Sequence, residues 1–341
     1  MEKEHTVTIG QRRLSAVATA ALVVSLAAAC GGDAKPNSDG STTAASSSSA
    51  EAGAGAALGG EVKIDGSSTV APLTQVASEL FGEEQPQVKV PVGTSGTGGG
   101  FEKFCAGETD ISNASRAIKD EEKAACEAKG IAFTELSVAV DALTVVVPKE
   151  NDWATCLTTD QLKKIWEPAS EGKVQTWKDV DAKFPAEPLK LYGPGTDSGT
   201  FDYFTDEING EEGASRKDYS PSENDNDIVT GVAGAKGGLG YFGFTYFEEN
   251  ADKLKAVEID SGEGCVAPSV EAAQGGKYTP LSRPLFVYPS ATAVKRPEVA
   301  AFLDFYAANI HEIATDAKFI PLNSEQEAKL KADIAALKSA G

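Results

Sequence analysis

The groups in this chain best suited to chemistry are backbone amides and hydroxyls gathered in four short turns. These are Gly66-Ser67-Ser68-Thr69, the run Gly93-Thr94-Ser95-Gly96 continuing to Gly100, Ser112-Asn113-Ala114-Ser115-Arg116, and Gly195-Thr196-Asp197-Ser198-Gly199-Thr200. A Gly, Ser and Thr turn that opens a helix offers unpaired N–H groups, hydroxyl donors and about half a unit of positive charge from the helix dipole. Several such turns meeting at one point make a cage for a tetrahedral oxyanion. One of them alone is commonly just a helix cap, so the reading rests on there being four.

Other chemistries find little support. Imidazole occurs only at His5 and His311, and no C-x-x-C spacing exists, so no metal site is expected. The phosphate loop G-x-x-x-x-G-K-[ST] is absent, and G-x-G-x-x-G fails because Gly96-x-Gly98 runs into Phe101. A serine hydrolase lacks its G-x-S-x-G elbow. With 31 basic against 51 acidic side chains, a formal charge of −20, neither nucleic acid nor a polybasic membrane contact is expected.

The elements that must position the turns alternate. Glu61 to Asp65 and Val88 to Val92 read as strands. Val70, Leu73, Ala77 and Phe81 recur at helical spacing with Pro72 in the first turn. Further helices are expected from Phe101, around Glu121 to Lys129, after the capping box Thr158-Thr159-Asp160-Gln161, from Phe201 to Ile208, and over Val299 to Ile310 and Glu325 to Lys338. Ala139 to Val147 is a nearly unbroken apolar run closed by Pro148, which suits a buried or crossing strand. Leu189 to Tyr192 and Leu285 to Tyr288 are shorter strands. The alternation predicts an α/β architecture, and 341 residues exceed what one core usually fills.

The N-terminus reads as an address. Arg12 and Arg13 precede an uncharged run from Leu14 to Ala29 that stops at Cys30, too short for a comfortable membrane span. Leu26-Ala27-Ala28-Ala29-Cys30 resembles a lipobox, although Ala27 stands where the usual Leu would be. Residues 1–29 are thus expected to be a signal peptide, Cys30 a lipidated residue, and 30–60, rich in Gly, Ala and Ser, a flexible tether. The other four cysteines allow three pairings. The preferred one joins Cys105 to Cys126 and Cys156 to Cys265, as suits an exported protein.

Taken together and in order, Asp65-Gly66-Ser67-Ser68-Thr69-Val70-Ala71-Pro72, Gly93-Thr94-Ser95-Gly96, Asp110-Ile111-Ser112-Asn113-Ala114-Ser115-Arg116, Asp197-Ser198-Gly199-Thr200-Phe201 and Gly238-Leu239-Gly240-Tyr241-Phe242 resemble the successive motifs of PstS-type phosphate-binding proteins. The resemblance spans 61 to about 320. It implies a two-lobed type II periplasmic-binding-protein fold with two crossing hinge strands, lobe one at 61–145 and 283–341 and lobe two at 146–282. The hinge would leave lobe one near Ala142 to Val147 and return near Leu281 to Tyr288.

The function so implied is capture of inorganic phosphate and its delivery to an ABC permease. The carrier would be a non-enzymatic monomer anchored at the outer membrane face, with phosphate as ligand and no cofactor. Carried over by position, Ser68, Thr69, Thr94, Ser95, Gly96, Ser115, Arg116, Asp197, Ser198, Gly199 and Thr200 would hold the anion. The family's best-known form ends its third turn in an Asp that accepts the phosphate proton, and has an Arg four residues before the Ser of S-G-T. Here those places hold Ser115-Arg116 and Pro194, so an exchange of roles is expected, with Arg116 the donor and Asp197 the acceptor. The ordinary alternatives are an ion pair of Arg116 with Asp120 or Glu121, and a helix cap for Asp197. Rival functions are a phosphate-ester hydrolase, the same fold tuned to sulfate or molybdate, and a cell-surface structural role.

Overall fold

The computed structural model describes residues 58–340; the expected signal peptide, Cys30 and nearly all of the expected tether lie outside the described residues. The described residues begin slightly before Glu61. Gly60 and Glu61 pair in parallel with Val88 and Lys89, and Leu58 packs on the first core.

One eight-stranded sheet runs through the molecule. Its strands are β1 (Ile64–Gly66), β2 (Ile111–Ala114), β3 (Leu136–Pro148), β4 (Lys190–Gly193), β5 (Ser220–Pro221), β6 (Gly238–Gly243), β7 (Leu254–Ala256) and β8 (Ser282–Pro289). The spatial order is β1-β2-β8-β3-β6-β4-β5, with β7 added on β3. The parallel pairs are β1 with β2, β4 with β6 and β4 with β5; β8 and β3 are antiparallel. Residues 156–158, 258–260 and 265–266 form a separate three-stranded sheet.

The run from Ala139 to Val147 lies within the thirteen-residue β3, which belongs to both halves. Leu136, Val138 and Ala139 pack into one apolar core, whereas Val140, Ala142, Leu143, Val145 and Val147 pack into another. The boundary between the cores therefore falls between Ala139 and Val140. β8 returns beside β3 with Ser282 opposite Ala142 and Leu285 opposite Ala139. These two antiparallel strands are the crossing connections of a two-lobed α/β fold.

The first core is closed by α1 (Ala71–Glu84), which buries Leu73, Ala77 and Phe81 and carries Pro in its first turn, together with the C-terminal helices Pro297–Ala308 and Ser324–Ala340. Each fully buried Leu or Phe contributes roughly 1.5–3 kcal/mol. The second core centres on Trp166, Trp177, Phe204 and Tyr241, with the Phe204 and Tyr241 rings stacked at 3.8 Å. Its helix Thr159–Trp166 opens as expected: Gln161 N–H donates to Thr158 Oγ1 at 3.1 Å, and Thr158 N–H to Gln161 Oε1 at 3.0 Å.

Cys105–Cys126 ties α2 (Gly96–Cys105) to α3 (Asp120–Ala128), and Cys156–Cys265 joins two strands of the small sheet. Each bridge stays on one side of the crossing strands. The sequence separations, 21 and 109 residues, set different entropic constraints on the unfolded chain, about 3 and about 5 kcal/mol. Replacing both cysteines of a pair by Ala should therefore cost more stability for Cys156–Cys265 than for Cys105–Cys126. Urea midpoints in the reverse order would show that strain or packing, and not loop closure, governs these bridges.

Candidate functional site

Two parallel strands, β1 and β2, end side by side, and the chain leaves each of them in a polar turn. Gly66 has φ +139°, a region that favours glycine, and a Cβ there would collide with the backbone of Asn113. On its other face, a Cβ on Gly100 would strike the Gly66 Cα. Two bare backbones in contact thus set the start of α2 against the turn before α1. Asp65 locks the arrangement, accepting from Ser95 N–H at 3.0 Å, Ser95 Oγ at 2.6 Å and Lys103 Nζ at 2.6 Å. Burial works to raise the Asp65 pKa, but these donors outweigh it and hold the carboxyl below its ordinary range.

The result is a cavity of about 580 Å³ at the carboxyl ends of β1 and β2, where α/β sheets commonly bind ligands. From the first lobe, Ser67, Ser68, Thr69, Gly96, Thr97, Gly98, Ser115 and Arg116 line it. From the second lobe comes α4 (Gly199–Phe204), continued by a π-helical turn over 205–209. This helix contributes Gly199, Asp202, Tyr203, Asp206 and Glu207 to the wall, and β8 adds Arg283 between the lobes. The lobes approach closely at Gly199, where a Cβ would fall inside the contact distance of Thr69 Oγ1.

Six of the expected site residues line this cavity: Ser68, Thr69, Gly96, Ser115, Arg116 and Gly199. Five are not among the lining residues. Ser95 donates its hydroxyl to Asp65, and its neighbour Thr94 is exposed. Ser198 caps α4 by accepting from Thr200 N–H at 3.2 Å, which engages the Thr200 amide. Asp197 is exposed and is not the helix cap; its N–H points to Glu223 Oε1 at 3.4 Å. Arg116 forms an ion pair, but with Glu122 in place of Asp120 or Glu121, its two terminal nitrogens donating at 2.8 and 2.7 Å. The Glu122 hydrogen bonds raise the Arg116 pKa against the effect of burial.

Arg283 and its partner Asp141 were not anticipated. In each crossing strand a single charge interrupts the apolar pattern, and the register places the two opposite one another. Those isolated charges were the available signal. Burial pushes the Asp141 carboxyl up while Arg283 pulls it down. Asp202 is raised first by burial and then by Glu212, with Arg283 opposing; Glu207 is raised by burial and by Asp206. The cavity therefore has cations on its first-lobe and hinge walls and desolvated carboxyls on the wall from α4. Among the described residues, the grouping with metal-ligand spacing is Cys156, Glu258 and Cys265, whose thiols are joined in a disulfide.

A PBP superfamily domain is matched over residues 38–309. Protein SphX of Synechococcus elongatus is 48% identical over 262 residues, which is 76% of this chain and 77% of that protein. The phosphate-binding protein PstS of Staphylococcus saprophyticus is 42% identical over 280 residues, covering 80% and 84%. The crystal structure of a possible phosphate-binding protein from Planctomyces limnophilus superposes with a TM-score of 0.78 at 45% identity, covering 82% of this chain and 99% of that one. With sequence, topology and cavity in agreement, the chain belongs to the PBP superfamily and, within it, to the family of PstS phosphate-binding proteins.

Proposed function

We propose that this protein binds inorganic phosphate between its two lobes and presents it to an ABC permease. It would act outside the cytoplasm as a monomer held to the membrane by a lipid on Cys30, and it performs no catalysis. The observation that carries the reading is the convergence of Ser68, Thr69, Gly96, Ser115 and Arg116 from one lobe with Gly199 from the other on a single cavity.

A strongly acidic protein can hold an anion because distance and salt weaken its remote carboxylates. At physiological ionic strength the screening length is about 8 Å. What decides affinity is the local set of donors. Each neutral hydrogen bond contributes about 0.5–1.5 kcal/mol net and a charged one about 1.5–3, whereas micromolar binding needs only about 8 kcal/mol. The cavity, at about 580 Å³, is many times the ~30 Å³ occupied by one water. A hydrated anion enters, and closure of the lobes exchanges its water for protein donors. Because those donors belong to both lobes, the ligand favours the closed form, which the permease reads.

Discrimination against sulfate needs an acceptor, since phosphate near neutrality keeps a proton and sulfate does not. Asp202 lines the cavity one turn beyond Gly199 and takes the role assigned above to Asp197. Facing sulfate, that carboxylate would be left against an anion with no proton between them, the kind of unpaired group that gives strong rejection.

Titration calorimetry with phosphate, sulfate and molybdate tests the reading: one phosphate per chain is expected, with sulfate far weaker. Arg116→Ala should weaken phosphate at least tenfold, and native affinity would remove Arg116 from the site. Asp202→Asn should narrow the phosphate-over-sulfate ratio; an unchanged ratio in the same titrations rejects Asp202 as the acceptor. Gly199→Ala should keep the native melting temperature but bind phosphate at least tenfold more weakly, because the methyl group meets Thr69 as the lobes close. Tight binding by this variant would mean that the two lobes need not meet there.

A further inference from the structure

A charged pair buried in the crossing strands of a hinge calls for a reason. Arg283 Nε donates to Asp141 Oδ2 at 3.2 Å, with the side chains only 16% and 8% exposed. Apolar residues of similar volume commonly stabilise such a position as well or better, so stability alone does not account for the pair. Its surroundings suggest more. The guanidinium lies over the Tyr203 ring, 3.7 Å from the centroid, and Nη2 donates to Thr69 Oγ1 at 3.3 Å. Tyr203 is itself anchored, its hydroxyl donating to the Pro280 carbonyl at 2.5 Å. One planar cation therefore touches the opposite hinge strand, the α4 helix of lobe two and the first turn of lobe one, while lining the cavity. Among the described residues, its Nη1 makes no hydrogen bond. Arg116, the other guanidinium of the cavity wall, has both terminal nitrogens committed to Glu122.

We propose that Arg283 is an anion-contacting residue that couples phosphate binding to closure, with Asp141 and Tyr203 as the positioning residues that hold its plane. This inference rests on the phosphate reading of the cavity. Asp141 fixes the guanidinium at Nε and Tyr203 fixes its face, so little side-chain freedom is lost when Nη1 meets an oxygen of the ligand. Contact with Thr69 on one side and Tyr203 on the other means that the same guanidinium senses both lobes. Lys cannot substitute, because its ammonium offers neither the planar stack nor a fixed fork of donors.

The test is phosphate calorimetry on the full chain, with the radius of gyration followed by small-angle scattering as the readout of closure. Arg283→Lys should bind phosphate at least tenfold more weakly than the wild type, despite its kept charge. Arg283→Gln alone would leave Asp141 buried and unpaired, so the decisive variant is the double one, Asp141→Asn with Arg283→Gln, which removes both charges together. It should melt near the wild-type temperature, lose at least a hundredfold in affinity and show no phosphate-dependent contraction. Tyr203→Leu should weaken binding and contraction together, whereas Tyr203→Phe, which keeps the stacking ring, should restore most of both. If the wild type binds phosphate and the double variant binds within threefold of it, Arg283 is a hinge ion pair only and the inference falls alone. If the wild type itself does not bind phosphate, the function proposed above falls and takes this inference with it.

Discussion

An oxyanion removed from water must find a hydrogen-bond donor for nearly every lone pair it turns toward the protein, and the rest of this structure follows from that constraint. Backbone amides and hydroxyls are the cheapest such donors, but they point usefully only where a strand has ended and a helix is beginning. Several such points must meet within a few ångströms. The fold answers with parallel strands β1 and β2 ending side by side, and with glycines at 66 and 100 that let α2 rest on the first turn, backbone against backbone. Asp65 then binds the second turn through Ser95, which makes Ser95 a brace for the site and not part of its lining.

Donors from one side alone would leave the anion half hydrated, so a second lobe is required, and the chain must pass between lobes without stiffening their movement. β3 and β8 do this as adjacent strands, and the residues of β3 belong to one core before position 140 and to the other from there on. The electrostatics are divided in the same way. Cationic groups stand on the first lobe and at the crossing, and carboxyls with raised pKa stand on α4 and the π-helical turn that continues it, where they oppose a fully deprotonated guest. A wall of this kind favours an anion that brings a proton with it.

The sequence displays some of this plainly and hides the rest for identifiable reasons. Turn composition and helical spacing are local properties, so the strand, turn and helix order and the capping box at Thr158 could be read directly, while Ser68, Thr69, Gly96 and Ser115, which line the cavity, were singled out by the resemblance to PstS motifs. The disulfide partners followed from export and from chain order. Direction is a tertiary property and was not legible. Ser95 has suitable groups, but these are turned to Asp65, and the Thr200 amide is turned to Ser198 in the α4 cap. Asp197 differs from Asp202 only in which side of a helix start it occupies. The Arg283 and Asp141 pair was half visible, as one charge in each of two apolar strands, but its meaning depended on a cross-strand register that the sequence alone does not provide.

The claim at the centre of this account is that one anion is held at once by backbone groups of both lobes. Amide hydrogen exchange of the wild-type chain, with and without phosphate, measures this directly. Slowed exchange is expected at Thr69 and at Gly96 to Gly98 in the first lobe together with Gly199 in the second, all with the same dependence on phosphate concentration, and no such change with sulfate at equal ionic strength. Protection confined to one lobe, or matched by sulfate, would contradict it.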